Sequence, residues 1–497
     1  MNDYFHSMLP PDEDRRLHYI PTLTGFLAWI ESEWSDLPAL SDESRTFSYR
    51  QMCSRIARRR HLLERIGLNA GDSVAILDFN SINAVESFLA VTSAGMTAIM
   101  LPSAMPAPQV IQCLERFNAK AILTRESLIA DLAPCHCTVE SIGSIDDLET
   151  PAFSMDKDAP AAIFFTGGTT GTPKGAILPH RALMRGAFNG CFAPGRQLAC
   201  HKTIGFLPLS HVFGMIRGML SELYIGAEWH AAEDLKRTLV MIPQIKPTLL
   251  VLVPGLCDML FNMVRLYGKS FLGGRLRLII SGAANVPPRL ISEFHSLGIE
   301  LLAGYGLTEG ANFTTGNASV LTHPESIGKV YSCQEMKIVD GELWIRGDNL
   351  FLGYYGQSGK ESSGFTPDGW FMTGDLGYMD SDGFVYLTGR KKNLIILPNG
   401  ENVSPESIEA LFYREPEVRD CLVSEKTLNG VPVLAVDILP DAASVKGLDM
   451  EQTNALFTSI TDRINSSLPS THRIAMVNVR KEDFKRTGSL KVARNQN

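Results

Sequence analysis

Between two short apolar runs, the stretch AIFFTGGTTGTPKGAIL (Ala162–Leu178) places four glycines, four threonines and one lysine. Glycine at that density disfavours helix and strand interiors, so the segment must be a loop, and one whose N–H groups are free to curl inward. The hydroxyls of Thr166, Thr169, Thr170 and Thr172 add donors and Lys174 adds positive charge, a set suited to a polyphosphate. The common nucleotide loop G-x-x-x-x-G-K-[ST] follows its lysine with Ser or Thr and with a helix whose N-terminus faces the phosphates. Here Pro173 precedes Lys174 and Gly175 follows it. The next residues, Ala176-Ile177-Leu178-Pro179, are too apolar and too soon interrupted by proline to open a helix. The expectation is strand, glycine loop, strand: a hairpin over 162–178. Taken by itself, a Gly/Thr hairpin turn without a ligand fits the stretch as well.

The flanking segments set the fold around that loop. TFSYRQMCSRIARRRHLLERIGLNAGDSVAILDFNSINAVESFLAVTSAGMTAIML alternates helical periodicity with apolar runs at VAILD and AIML, the rhythm of β-α-β units, and AILTRESL repeats it. TIGFLPLSHVFG, PTLLVLVPGLCDML and LRLIISGAANVPPRLISEF continue as strand, small-residue or proline turn, then helix. The fold class is α/β, with ligand sites expected at the carboxyl ends of the strands. GELWIRGDNLFLGYYG and GWFMTGDLGYMDSDGFVYLTGR switch to alternating apolar and polar residues with Asp-Gly turns, a small antiparallel barrel or sheet at about 326–389. Beyond Arg390, SPESIEALFYREPEV reads as a helix with Ser404 as N-cap and Pro405 at N1, followed by DCLVSEK, PVLAVDIL and a last helix at TNALFTSITDRINSSL. That is a separate α+β lobe, with the boundary within GRKKN and no repeat or low-complexity segment.

Composition narrows the class of protein. A chain of 497 residues is too long for one ordinary core and suggests three or four structural units within two mobile bodies. No stretch approaches the roughly 18 uninterrupted apolar residues of a membrane span, and AVTSAGMTAIMLP from Ala90 reads as a buried strand or helix, so no stable membrane insertion is expected. The start MNDYFHSMLPPDEDRR carries acids and two prolines where an export signal needs a basic start and an apolar run, which points to the cytoplasm. Nine cysteines lack paired spacings, and the CHC at Cys135–Cys137 has no second ligand pair nearby, so reduced structural thiols are expected. A net charge of −8 argues against nucleic-acid binding, and the one basic cluster, RIARRRHLLER, reads as a solvated helix face.

TGGTTGTPKG, GYGLTE, GWFMTGDLG, GRKKNLIILPNGENVSPESIE and RTGSLKVAR occur in the order, and at roughly the separations, seen in adenylate-forming enzymes. The chain resembles that superfamily (acyl-CoA ligases, firefly luciferase and peptide-synthetase adenylation domains) from about residue 20 to its end. The resemblance implies a large N-terminal body (1–389) of two stacked parallel-sheet α/β subdomains plus a small β-barrel, a hinge (390–393) and a small mobile α+β C-terminal lobe (394–497). It also implies a two-step reaction: a carboxylate attacks the α-phosphate of Mg·ATP to give acyl-AMP and pyrophosphate, then a thiol displaces AMP. Attack of one anion on another needs positive charge and backbone donors at the phosphates, with a metal bridging phosphate oxygens.

Carried onto this sequence, the resemblance gives Thr166, Gly167, Gly168, Thr169, Thr170, Gly171 and Lys174 to the phosphates. Gly167 stands where the superfamily more often has Ser, which removes a hydroxyl but not the backbone donors. Gly282, Ala283 and Ala284 resemble the small-residue turn on which adenine lies in that superfamily; taken alone, the stretch would be an ordinary β–α turn. Tyr305 stands against the adenine beside Gly306, Thr308 near the α-phosphate, and Glu309, with Thr170, at Mg2+. Asp375 resembles the acid that accepts both ribose hydroxyls, Arg390 the ribose-side arginine and Lys392 the hinge residue. Lys491 resembles the tail lysine that holds substrate carboxylate and ATP in line. Leu490 stands before it where the superfamily usually has Gly.

LPLSHVFG chooses among subfamilies. Amino-acid-activating members carry an Asp near this position, whereas here Ser210-His211 has no acid near, and His211 resembles the gate residue of acyl- and aryl-CoA ligases. Expected pocket walls are Phe206, Phe213, Met215, Ile216, Gly282 and Gly304, uncharged surfaces suited to a fatty (medium to long chain) or aryl acid. PNGENVSPE, centred on Gly400, resembles the loop along the thiol's path. Coenzyme A is the simpler acceptor, with a carrier protein acting in trans as the alternative.

Overall fold

The computed structural model describes residues 17–133, 135–141, 155–166, 174–193, 196–198, 200–357, 359, 361–397, 400–485, 492 and 494, with the backbone of 6–7. Its largest sheet has seven strands in the order Gly353–Tyr354, Lys174–Pro179, Pro160–Thr166, Thr97–Met100, Ser73–Leu77, Ala119–Thr124, Thr138–Ser141. The last five pair in parallel. Their residues are buried on both faces, as with Ala75, Ile76, Ala98, Ile99, Ala162 and Ile163. This explains why the sequence shows continuous apolar runs there rather than alternation. Lys174–Pro179 runs antiparallel to Pro160–Thr166, in register from Pro160↔Pro179 to Thr166↔Lys174. The expected hairpin arms are therefore present; Gly167–Pro173, the loop between them, lies outside the described residues.

A second sheet places Leu249–Leu252, Leu278–Ser281 and Glu300–Leu307 in parallel, then adds Asn312–Asn317 and Lys329–Val330 antiparallel. A third joins Lys202–Ile204, the strand read at the start of TIGFLPLSHVFG, to Glu228–His230, Pro38–Ser41 and Thr46–Ser48, a pairing not read from the sequence. The segment expected as barrel or sheet is an antiparallel row of Gln334–Val339, Glu342–Gly347, Phe371–Met379 and Val385–Arg390, and among the described residues its two outer strands do not pair to close it.

One expectation is corrected. The basic helix Tyr49–Arg65, which starts at a capping box of Ser48 and Gln51, is not a solvated face throughout. Arg59 and Arg60 are buried. Glu86, itself buried in the neighbouring helix Ile82–Ser93, accepts hydrogen bonds from both Arg55 (2.9 Å) and Arg59 (3.1 Å). A buried carboxylate needs such partners, and the helix supplies them.

One hydrophobic core draws members from Ile20 to Phe371, and a second draws members from Leu397 to Ile474. The second lies between the sheet Val418–Leu428, Val431–Pro440, Ile474–Val479 and the helices Pro405–Phe412 and Met450–Ser467. Ser404 caps the first helix through Ser407 N, with Pro405 in its first turn as read. The second begins three residues before the expected TNALF, because Asp449 caps it with Gln452 in a capping box. All nine cysteines are free thiols, and Cys135 Sγ lies 3.4 Å from Cys137 Sγ. No described helix is long and apolar enough to cross a membrane.

Candidate functional site

Strand Glu300–Leu307 organises the site. It runs parallel to Leu278–Ser281 on one side and antiparallel to Asn312–Asn317 on the other, with a bulge between Tyr305 and Gly306. A bulge bends the strand and re-aims the following side chains. The chain then turns through Thr308–Gly310, and the backbone reaches Ala311 at a left-handed φ of 47°.

Two tyrosine–carboxylate pairs meet this strand end. In the first, Tyr305 donates its hydroxyl to Asp375 Oδ2 at 2.6 Å, and Arg390 Nε stands 2.7 Å from Oδ1. Asp375 and Arg390 face each other across adjacent strands. Asp375 N donates to Thr373 Oγ1 (3.0 Å), and Thr373 in turn donates to the Leu343 carbonyl (2.7 Å). The carboxylate is only 3% exposed, so these bonds fix its orientation. Burial, then the Asp375 charge, pushes the Tyr305 hydroxyl well above its ordinary pKa and keeps it a donor. Burial acts to lower the Arg390 pKa, but Asp375, followed by Tyr305 and Glu309, carries it above its usual value.

In the second pair, Tyr354 donates to Glu309 Oε1 at 2.6 Å. Burial, then Glu309, raises the Tyr354 hydroxyl. Lys174 Nζ lies 4.9 Å from the centre of the Tyr354 ring, a cation–π contact. Tyr354 reaches this place because Gly353–Tyr354 pairs with the hairpin strand, Tyr354↔Ala176. The mouth of the glycine loop, Thr166 and Lys174, is thereby tied through one phenol to Glu309.

Gly282 follows strand Leu278–Ser281. A Cβ there would stand 3.0 Å from the Gly304 carbonyl oxygen and 3.4 Å from the Phe213 ring. Ala283 holds φ at 66°, a left-handed backbone that costs a residue with a Cβ about 1–3 kcal/mol. Ala284 beside it is exposed. His211 is half-buried in the turn before the helix Phe213–Leu220, its N–H donating to the Pro208 carbonyl at 3.1 Å. That helix is wound as a π-helix, a rare form that is frequent at functional sites. Of the expected walls, Phe206 and Phe213 border it nearly buried, while Met215 and Ile216 are wholly packed into the core.

Lys392 is exposed on the short turn after Arg390. Burial and the Arg390 charge lower its pKa, against the opposing pull of Asp375 and Glu309, so it lies within electrostatic reach of both carboxylates. Gly400 closes a turn with Leu397 (2.8 Å) at φ 84°. Lys491 and Gly167–Gly171 lie outside the described residues. The structure thus brings together Lys174, Tyr305, Glu309, Asp375, Arg390 and Lys392. Sequence reasoning missed Tyr354 and Thr373; the signal for Tyr354 was the aromatic pair in LGYYG, which it used only to mark an antiparallel segment.

Residues 27–355 match the AMP-binding enzyme family. The chain is 29% identical over 435 residues to the indoleacetate–CoA ligase of Aromatoleum aromaticum, covering 79% of this chain and 84% of that one. It is 25% identical over 481 residues to the long-chain-fatty-acid–CoA ligase FadD15 of Mycobacterium bovis, covering 80% and 78%. Among solved structures, the anthranilate CoA ligase AuaEII in complex with anthranoyl-AMP superposes with a TM-score of 0.81 at 21% identity, over 97% of each chain.

Proposed function

Because the chain belongs to the AMP-binding enzyme family, we propose that it is an acid–thiol ligase that converts a carboxylic acid and ATP to acyl-AMP and pyrophosphate, then passes the acyl group to coenzyme A with release of AMP. The observation that carries this reading is the pair of tyrosine–carboxylate contacts at one strand end, one tied to the glycine-loop lysine and one to an arginine.

The ribose end is served by Asp375. Its Oδ2 accepts from Tyr305 and, at 3.5 Å, from Arg390 Nη2, its Oδ1 is paired with Arg390 Nε, and a carboxylate's two oxygens suit two neighbouring sugar hydroxyls. Tyr305 has its hydroxyl committed to Asp375, which leaves the ring face for adenine beside the Gly282–Ala283–Ala284 turn. Lys174 and the loop amides hold the phosphates that depart. Glu309 keeps Oε2 without a hydrogen bond among the described residues, and no described group of three or more acidic, His or Cys side chains could hold a metal by itself. One carboxylate plus phosphate oxygens is the way Mg2+ is usually bound, so Glu309, with Thr170, fits an ion that arrives with ATP. When bound, that ion neutralises phosphate charge. His211 and Phe213 border the acid's route, and Lys491 aligns carboxylate with α-phosphate.

We place the body at 1–389, the hinge at 390–393 and the lobe at 394–497; the two separate hydrophobic cores support that division. Gly389 carries φ 147°, and a Cβ there would lie 2.0 Å from Ser404 Oγ, so glycine is required where lobe meets body. After acyl-AMP forms, rotation at Lys392 brings the Gly400 loop to the thiol's path. The substrate is a fatty acid of medium to long chain, or an aryl acid such as those named for two of the similar proteins. The test is carboxylate-dependent AMP release across short, medium, long and aromatic acids, with and without coenzyme A. Acid-dependent AMP and thioester are expected; no AMP from any acid overturns the reading.

A further inference from the structure

Arg217 lies in the π-helix Phe213–Leu220 and is wholly buried. Its Nη1 donates to Glu222, which is also wholly buried, while its Nε and Nη2 are buried without an acceptor among the described residues. A buried guanidinium with unfilled donors is costly, and such exceptions mark a place for a water or a ligand atom. Arg217 lines a void of about 10 Å³ together with Ile280, Leu302, Ala303, Asn317 and Tyr331. The other polar side chains of this lining are committed. Tyr331 donates to the Phe192 carbonyl (2.9 Å), and Asn317 donates to the His323 and Ser326 carbonyls and accepts from Ser319 N.

The void lies two residues back along the strands that lead to the candidate site. Ile280 and Leu302 are register partners, each two residues before the glycines Gly282 and Gly304 that keep the floor small. Arg217 follows Phe213, whose ring rests against Gly282, by about one helical turn. An acid whose carboxylate reaches the α-phosphate and whose body passes Phe213 therefore extends toward Arg217.

Size and charge define what it would meet there. A void of about 10 Å³ is on the scale of one water-sized group. Glu222 already neutralises Arg217, so an anion there would be buried without compensation. We propose that the acid carries an uncharged oxygen, a hydroxyl or a keto group, at its distal end, and that Arg217 recognises it with Nε–H and Nη2–H. This inference rests on the ligase reading above and names the substrate class within it: oxygenated acids rather than plain hydrocarbon acids or diacids. A single water is the competing occupant, which a ligand oxygen displaces only if it reproduces the same hydrogen bonds.

The experiment compares kcat/KM for AMP release within matched pairs: octanoate and 8-hydroxyoctanoate, hexadecanoate and 16-hydroxyhexadecanoate, 3-phenylpropanoate and 3-(4-hydroxyphenyl)propanoate, each beside the diacid of equal length. At least one oxygenated member is expected to exceed both its plain and its diacid counterparts by about tenfold or more, as sites built for a substrate hydroxyl discriminate strongly. In the double variant Arg217→Met, Glu222→Leu, which removes both charges together, the ratio within that pair is expected to collapse toward one. Because the ratio is internal to each protein, loss of folded fraction does not move it, and if the variant fails to fold the wild-type ratios decide. AMP release with flat ratios in every pair, a diacid preferred over its hydroxy acid, or a preference that survives in the variant overturns this inference alone. No AMP from any acid overturns the ligase reading, and this inference with it.

Discussion

The N-terminal body and the C-terminal lobe each bury groups whose pKa moves away from its ordinary value, and they respond to pH in opposite directions. The body holds neutral imidazoles: His180 accepts from Leu23 N through Nδ1, His230 pairs with Ser41 Oγ at 3.0 Å, and burial pushes both down to about 4. The lobe holds a carboxyl: Glu409, bonded to Val423 N (2.7 Å) and to Arg494 (2.5 Å), is pushed up to about 7, mainly by burial. Arg494 also stands 3.3 Å from Glu406, which ties the chain just after Lys491 into the lobe core. The difference teaches a division of labour. The body holds its tyrosine–carboxylate pairs at one strand end, while the lobe holds Arg494 against Glu409 and Glu406; on the proposed function, the first serves AMP in both half-reactions and the lysine at 491 serves only the first.

Three measurements test that division. The largest effect is expected from Lys491→Ala: acyl-AMP formation falls by on the order of 10³-fold, while supplied acyl-AMP is still converted to thioester. Loss of both half-reactions together would break the contrast, since a lobe residue would then serve both steps. Asp375→Ala in the body is expected to do what Lys491→Ala does not, and slow both half-reactions by on the order of 10²-fold. Both use the AMP moiety, and Tyr305 and Arg390 lose their shared partner. Comparing the two half-reactions in single-turnover assays separates these outcomes.

The smallest effect is in stability. His180 and His230 have ordinary values of 6.5 and folded values of about 4, so the unfolded chain binds more protons between these limits. Their contribution to the body is fully present above about 6.5 and is lost as pH falls toward 4. Glu409 has an ordinary value of 4.5 and a folded value of about 7, so there the folded chain binds more protons. Its contribution to the lobe is fully present below about 4.5 and is lost as pH rises through 7. Hydrogen exchange followed from pH 7 to 4.5 should therefore show body amides losing protection and lobe amides gaining it, each by on the order of 1–3 kcal/mol. Glu409→Gln should flatten the lobe's trend, and parallel trends in the two regions would sink the assignment.

What was legible in the sequence followed from local chemistry. The hairpin arms were readable because Pro179 forbids the helix of the commoner loop, and the lobe helix because Ser404-Pro405 is a self-sufficient start signal. Tyr305, Asp375 and Arg390 were each named from their motifs, but their hydrogen-bonded triad was not, because it joins positions far apart in sequence. The basic helix misled for the same reason: nothing in RIARRRHLLER reveals that Glu86 on the next helix lies over it. The π-helix was invisible because apolar residues fill FGMIRGML on every side of Arg217, leaving no period to read.

The strand Gly353–Tyr354 has a bearing on biosynthesis. It seals the outer edge of Lys174–Pro179, with Leu352 N donating to the Ile177 carbonyl and Tyr355 N to that of Gly175, both at 2.8 Å. A nascent chain that has emerged only as far as the hairpin leaves Gly175, Ala176, Ile177 and Leu178 on a bare sheet edge, the kind of surface that templates intermolecular pairing. The edge stays open until well over half of the protein has been made. Such long-range closure is slow, and it places the aggregation-sensitive interval of synthesis between those two points in the chain. Truncations ending before Gly353 should accordingly be poorly soluble, whereas one ending at the hinge, which keeps that strand and leaves out the lobe core whole, should not.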